Sequence, residues 1–367
     1  MTRLLILQHL SPLSLLDELR ADPLFSEVVY VPHHPFGGRP DDVYPTDEQL
    51  EQAEVIFSFV APKGVDSVEK TPNLKLFQGL SAGYSHVTDT AYFKSIPKDS
   101  DLTFANASGI HVSTIGEHVI CTTQMLLHRL HTITYKLRAE QEWFRAEAAW
   151  GSYIRELRDL TVGIIGYGHI GRETARLAAG AGSRIIALNR SGAASPESGY
   201  IIPGTGDPDG SLPEKYYSTT VEEETLAFFS ACDVVVNTLP DSESTRGFVG
   251  EKELRAMKGD AIFVNIGRGT TVVQDKLIEA LKGVQAEGEE EGATGSLRIG
   301  GASLDVVDPE PLPNGHELYT LENVLLTPHM SGLSRSYYIR AADLLKTNVR
   351  RLQEGQGALN AYRGKGE

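Results

Sequence analysis

The chain has 367 residues, with 34 Lys and Arg against 49 Asp and Glu and a formal charge of −15. At about 150 residues per domain this length predicts two domains, and 41% hydrophobic with 23% charged residues is a globular composition, not a disordered or fibrous one. The acid surplus excludes a non-specific nucleic-acid binder, which needs clustered Lys and Arg, yet a local Arg can still hold a small anion in one cleft.

The first segment, RLLILQHLSPLSLL, reads as a strand over Leu4–Leu7 and a helix start at Ser11-Pro12. It is not read as a signal sequence, because Gln8 and His9 interrupt the apolar run and no small-residue cleavage site follows. Short apolar runs at Val55–Val60 and Leu74–Gln78 continue a strand–turn–helix pitch, the pattern of βαβ units and a parallel sheet. From Thr114 to about Glu147 no Gly or Pro follows Gly116, and the apolar spacing predicts one long helix linking two lobes or packing on a partner subunit. Its Cys121 and the later Cys232 both lie in apolar runs, so two buried inert thiols are expected and a reduced compartment fits. No apolar run reaches the ~20 residues that span a bilayer, so the expectation is a cytoplasmic protein without membrane contact.

The strand rhythm then restarts at Thr161–Ile165, Ser183–Leu188, Asp233–Leu239, Ala261–Ile266, Ala302–Val306 and Asn323–Thr327. Two stretches, 192–215 and 286–298, are rich in Gly, Pro, Ser or Glu and read as surface insertions. A last helix is expected near Arg335–Gln353.

Gly166-Tyr-Gly168-His-Ile-Gly171 is a GxGxxG pattern set between a strand and a helix. Gly166 permits the tight turn, Gly168 admits a pyrophosphate to the backbone, and Gly171 lets helix pack on strand, with the helix N-terminus supplying free N–H groups. The next strand ends in Asn189-Arg190-Ser191 rather than the acidic residue usual for an NAD ribose. Asn189 carries no charge, while Arg190 and Ser191 suit a 2′-phosphate, which favours NADP(H) over NAD(H). The alternative is that Arg190 stacks on adenine in an NAD site.

Three later strands end in Asn265-Ile-Gly-Arg268-Gly269, Asp305-Val-Val-Asp-Pro-Glu310 and Thr327-Pro-His329. One cation, one carboxylate and one imidazole at strand ends suit reduction of a 2-oxo acid. Arg268 would hold the substrate carboxylate and carbonyl oxygen. His329 would donate a proton as hydride arrives, and Glu310 would orient His329 and favour its cationic form.

The chain resembles the D-isomer-specific 2-hydroxyacid dehydrogenases, the family of glyoxylate/hydroxypyruvate reductases and phosphoglycerate dehydrogenase. The resemblance runs from about Leu74 to about Ser334 through LKLFQGLSAG, ELRDLTVGIIGYGHIG, NTLPDSESTRGFVGEKELRAMKGDAIFVNIGRG, SLDVVDPEPLP and ENVLLTPH. It implies Arg268, Glu310 and His329 as the catalytic trio in the roles just given. It implies substrate-carboxylate contacts from the backbone N–H groups of Ala82 and Gly83. It also implies cofactor contacts at Tyr167, Gly168, His169 and Ile170, at Leu239-Pro240 and Ile266-Gly267, and from Asp305 beside the nicotinamide amide.

The fold expected is α/β: two Rossmann-like parallel αβα lobes with a cleft between them. The substrate-binding domain would be discontinuous, residues 1–112 and 331–367, around a dinucleotide-binding domain at 113–330. A homodimer is expected. Where the family usually continues after Arg-Gly with Gly, two apolar residues and Asp-Glu, this chain has Thr270-Thr271-Val272-Val273-Gln274, a departure expected to alter packing, not chemistry. Formate dehydrogenases of the superfamily carry Gln where Glu310 stands, which argues against formate.

Phe59, Val60, Tyr84 and His86 are expected to line the mouth of the site, and His111 to face its nicotinamide side. His33-His34, and His128 with His131, lack a carboxylate or Cys at ligand spacing, so no metal is expected. The run of Glu287, Glu289, Glu290 and Glu291 reads as a solvated loop, and Trp143 and Trp150 as packing residues. The alternative function is a nucleotide-sensing co-repressor-like binding protein of the same fold.

Overall fold

A computed structural model describes residues 2–32, 42–143, 154–283 and 297–362. His33-His34, Trp150, the 286–291 glutamates and most of the 286–298 stretch lie outside the described residues. The chain divides into two compact units, Met1–Ile110 with Ser198–Ile202 and Ser334–Glu367, and His111–Glu197 with Pro203–Leu333.

In the first unit, β1 (Thr2–Ile6), β2 (Phe25–Tyr30), β3 (Val55–Ser58), β4 (Leu76–Gly79) and β5 (Thr103–Ala105) run parallel in the order β5-β4-β3-β1-β2. The C-terminal strand Ala361–Tyr362 closes the β5 edge antiparallel. Strand alternation sends Leu4, Ile6, Val55 and Phe57 into one core with Leu344, Leu345 and Val349 of the helix Tyr337–Gln353. Leu5, Leu7, Ile56 and Phe77 enter a second core on the opposite face. Burial on both faces is why these strands read as unbroken apolar runs. Strands Phe25–Tyr30 and Thr103–Ala105 were not expected: one is a half-exposed edge and the other has three residues.

Residues 198–202 correct the expectation of a surface insertion, since they belong to the first unit. Tyr200 is buried in its core, donates from Oη to Asp343 Oδ2 at 2.8 Å, and donates from its N–H to Asn360 Oδ1 at 3.2 Å. The apolar Tyr200-Ile201-Ile202 sits amid Gly and Pro, whose abundance masks it.

In the second unit seven parallel strands follow: β6 (Thr161–Ile165), β7 (Arg184–Asn189), β8 (Lys215–Ser218), β9 (Val234–Asn237), β10 (Ile262–Asn265), β11 (Gly301–Leu304) and β12 (Val324–Leu326). Their order, β12-β11-β10-β9-β6-β7-β8, is doubly wound and reverses direction between β6 and β9. Ligands of such sheets bind at the carboxyl ends of the strands beside that reversal.

Among the described residues the long helix expected over 114–147 is instead two, Val112–Leu127 and Leu130–Glu140, broken at Arg129, whose φ is 52°; residues 144–147 lie outside them. The break turns the second helix so that His131 Nε2 and Thr132 Oγ1 meet the carbonyl of Glu322 at 2.8 and 3.4 Å. Trp143 beyond it is exposed, not packed. Cys121 is also exposed, against expectation: the helix buries Val119, Thr122, Thr123 and Leu126, and a step of 100° per residue puts Cys121 on the outer side. Cys232 is buried, its Sγ donates to Phe228 O at 3.0 Å, and burial pushes its thiol pKa well up. Among the described residues no helix is long and apolar enough to cross a membrane.

Candidate active site

The glycine turn links β6 to the helix His169–Gly180. Gly166 takes φ 82°, and a Cβ on Gly171 would stand 2.5 Å from Gly166 O, so the helix seats directly on the turn. Nothing lies within 4 Å of where a Cβ on Gly168 would project, and no side chain caps the helix N-terminus. An open, uncapped N-terminus on a 12-residue helix fits a pyrophosphate, which its N–H groups and positive end would hold at Gly168, His169 and Ile170. Thr238 closes the turn from β9, donating to Gly166 O at 2.6 Å, with Leu239 packed beside it and Pro240 following exposed.

At the end of β7, Asn189 shapes its own loop. Its Oδ1 accepts from the Gly192 N–H at 2.8 Å and from Ser191 Oγ at 3.2 Å, and its Nδ2 donates to Ala193 O at 2.8 Å. Arg190 is exposed and makes no ion pair among the described residues. Of the three residues read from sequence here, Arg190 is the one with its charge available to an incoming anion.

The remaining candidates stand at the ends of the adjacent strands β10, β11 and β12. Below Arg268 lies a buried amide network. Asn265 and Asn237 are register partners, and Asn237 Nδ2 donates to Asn265 Oδ1 at 3.0 Å and to Thr271 Oγ1 at 2.7 Å. Asn265 Oδ1 accepts from the Gly267 N–H, and Asn237 Oδ1 from the Leu239 N–H. One network thus fixes both 237–240 and 265–271, including the buried Leu239 and Ile266. Arg268 is partly exposed, with Nη1 donating to Gly267 O at 2.6 Å. A Cβ on Gly269 would stand 1.9 Å from Val307 O, so the Arg268 loop abuts the loop that carries Glu310.

His329 Nδ1 meets Glu310 Oε1 at 2.5 Å, both side chains being partly exposed. His329 has φ 50°, a conformation costing roughly 1–2 kcal/mol outside glycine. Asp305 holds it there. Its carbonyl accepts from the His329 N–H at 2.9 Å, while its carboxylate accepts from Thr327 Oγ1 (2.6 Å) and the Met330 and Ser331 N–H groups (both 3.0 Å). Burial would raise the Asp305 pKa, but hydrogen bonds from Ser331, Thr327 and the Met330 N–H outweigh it and keep the carboxyl below its ordinary value. The carboxylate expected beside a nicotinamide is therefore engaged in bracing the His329 loop. Gln274 braces the Glu310 side, donating to Asp308 O at 2.6 Å and accepting from the Asp308 N–H at 3.1 Å.

In the first unit, Ala82 and Gly83 follow β4 and are partly exposed, with Ser81 Oγ donating to Gly83 O at 2.7 Å. His86 Nε2 contacts Phe59 O at 2.8 Å, and Phe59 stacks on Tyr337 at 5.9 Å. Tyr84 corrects its expected place at a mouth: it is buried and edge-on to Phe104, and its side chain occupies the space where Gly79 has no Cβ. His111 stands at the N-cap position of the helix Val112–Leu127, without a side-chain capping bond, and its ring lies beside Gly332. Among the described residues no three His, Cys, Asp or Glu gather as a metal site.

Asn237, Asn265, Thr238, Thr271 and Gln274 were missed in the sequence. The available signal was an Asn closing each of two successive apolar strands, VVVN and IFVN.

The chain is similar to a glyoxylate reductase of Thermococcus litoralis, 28% identical over 321 residues, covering 84% of this chain and 83% of the relative. It is 27% identical to a glycerate dehydrogenase of Methylorubrum extorquens, covering 84% and 85%. The fold matches an NADPH-dependent glyoxylate/hydroxypyruvate reductase of Sinorhizobium meliloti solved with NADP and sulfate, with TM-score 0.66, 22% identity, and coverage of 99% and 98%. The family model "D-isomer specific 2-hydroxyacid dehydrogenase, NAD binding domain" matches residues 122–331, which hold the glycine turn, Arg268, Glu310 and His329. The chain belongs to the D-isomer-specific 2-hydroxyacid dehydrogenase family.

Proposed function

We propose that this protein reduces small 2-oxo acids, glyoxylate to glycolate or hydroxypyruvate to the D-2-hydroxy acid, with NADP(H) preferred over NAD(H). The His329–Glu310 pair, held at 2.5 Å beside the Arg268 loop, carries the reading. With Nδ1 turned to Glu310, Nε2 is the nitrogen left to protonate a carbonyl oxygen, and it takes the proton back in the reverse reaction. A bound nicotinamide dinucleotide supplies the hydride. The Arg268 guanidinium presents a planar donor fork that suits the substrate carboxylate and carbonyl oxygen.

Arg190 supports the NADP(H) preference because its exposed charge stands past β7, where a 2′-phosphate binds in this fold. The Sinorhizobium neighbour solved with NADP supports it too. The reading extends to a cytoplasmic homodimer, which light scattering and fractionation would test. The experiment that tests the activity is purified protein with NADPH or NADH and a panel of 2-oxo acids, followed by loss of the reduced dinucleotide's absorbance and, for substrates such as hydroxypyruvate whose product has a stereocentre, by chiral analysis. Turnover of glyoxylate or hydroxypyruvate, faster with NADPH, is expected. No turnover of any 2-oxo acid would refute the reading.

A further inference from the structure

Between β7 and β8 the chain makes a long excursion, and its part within the second unit is joined to the glycine turn by buried polar side chains. Tyr167, the residue between Gly166 and Gly168, is 7% exposed, and its Oη donates to Asp207 Oδ2 at 2.8 Å. Arg172, 3% exposed near the start of the helix His169–Gly180, lays its guanidinium over the Tyr167 ring at 5.1 Å. It also donates to Asp207 O at 2.6 Å and to Ser195 O at 2.8 Å. Glu173, 1% exposed on the same helix, accepts from the Gly206 N–H at 2.8 Å. The Asp207 carboxylate is itself filled, accepting from the Ser211 N–H at 3.1 Å and the Leu212 N–H at 3.0 Å as well as from Tyr167. Burial, reinforced by the Asp207 carboxylate, holds the Tyr167 phenol well above its ordinary pKa, so it stays a donor.

A solvated surface insertion needs none of this. Burying an Asp, an Arg and a Glu is costly unless each is hydrogen-bonded, and here each has a hydrogen-bond partner across the join of the excursion with the turn and its helix, with Arg176 as the ion-pair partner of Glu173. We propose that Asp207 is a positioning residue for the dinucleotide: through the Tyr167 hydroxyl it fixes the glycine turn in the shape that receives the pyrophosphate, which makes the 203–212 segment a built wall of the cofactor site. The inference rests on the dinucleotide reading of the previous subsection. The physical reason is preorganisation. Backbone N–H groups that already point at the phosphates need no ordering when the ligand arrives, and that saved ordering appears as affinity. Asp207 bonds to the phosphate-binding turn and not to the catalytic trio, so it governs dinucleotide binding and leaves the proton and hydride steps alone.

The test is fluorescence titration of NADPH against wild type, Asp207→Ala, Asp207→Asn and Tyr167→Phe, with steady-state kinetics and thermal melts of each. Asp207→Ala is expected to raise the Kd and the KM for NADPH about tenfold, as loss of a charge-assisted hydrogen bond would. The kcat at saturating NADPH and the KM for the 2-oxo acid should stay within about twofold. Asp207→Asn keeps an acceptor for the Tyr167 hydroxyl and the Leu212 N–H but turns its amide to the Ser211 N–H, so it should recover much of the affinity while melting below wild type. Tyr167→Phe keeps the ring under Arg172 but removes the hydroxyl, so if Asp207→Ala does not fold it should show the same rise in the Kd for NADPH. A lowered melting temperature with an unchanged NADPH Kd in the folded variants would overturn the proposal and leave the function standing. If wild type itself binds no dinucleotide, the function and this proposal fall together.

Discussion

Replacing Asp305 by asparagine keeps the shape of a side chain that is 2% exposed and changes only its hydrogen-bonding chemistry. In the native protein Oδ1 accepts from Thr327 Oγ1 and the Met330 N–H, and Oδ2 accepts from the Ser331 N–H. An asparagine carbonyl can serve the first pair. Its amide then faces the Ser331 N–H, donor against donor. One charge-assisted bond is lost, worth about 1.5–3 kcal/mol, and the two that remain become neutral and weaker. The expected destabilisation of the second unit is about 3–4 kcal/mol, read by urea denaturation at neutral pH. Because the folded carboxyl lies below its ordinary pKa, its contribution is present above the unfolded value of ~3.9 and is lost as pH falls through the folded value. The gap between wild type and variant should therefore narrow on acidification. The same change frees the left-handed His329 backbone that Asp305 braces, so kcat/KM should fall roughly tenfold or more. A variant within about 0.5 kcal/mol of wild type, or a gap that does not change with pH, would refute the bracing role.

Three further outcomes follow from other parts of the molecule. Arg190→Asp should raise the KM for NADPH at least about tenfold and shift preference toward NADH, by removing the exposed cation past β7 and adding an acceptor for ribose hydroxyls; kinetics with both dinucleotides check this. Asn237→Ala removes the hub between two site loops and should cost about 2–4 kcal/mol in urea denaturation, with a fall in kcat as the Leu239 N–H loses its acceptor and Asn265, which holds the Gly267 N–H, loses its Asn237 donor. Thiol titration of the native protein should show Cys121 reacting fast and Cys232 only on unfolding, because one is exposed and the other is buried with its pKa pushed up.

Much of the candidate site's placement is legible in the sequence because its residues follow strand ends, where short apolar runs mark the position of a following residue. Gly166, Arg268, Glu310 and His329 are each found within a few residues of a strand read from the sequence. The supporting polar groups were not legible. Asn237 and Asn265 look like loop residues until the parallel register pairs them, and a register between separate strands is a tertiary fact. The bracing of the His329 loop by Asp305 has no mark in the sequence, because a carboxylate's protein partners depend on how the next loop folds back. The helix break at Arg129 was hidden because left-handed backbone at a residue other than glycine leaves no mark in composition. The excursion after β7 misled for a different reason: Gly and Pro suggested a surface loop, while Tyr200 and Asp207 anchor it in two different places.

The most direct test of the proposed chemistry is the kcat/KM of His329→Ala for glyoxylate with saturating NADPH, set against wild type. A positioned general acid contributes about 10²–10⁴-fold, so a loss of at least a hundredfold is expected, with NADPH binding unchanged. Full activity in that variant would contradict the assignment of His329 as the proton donor and, with it, the reading of the Glu310 pair.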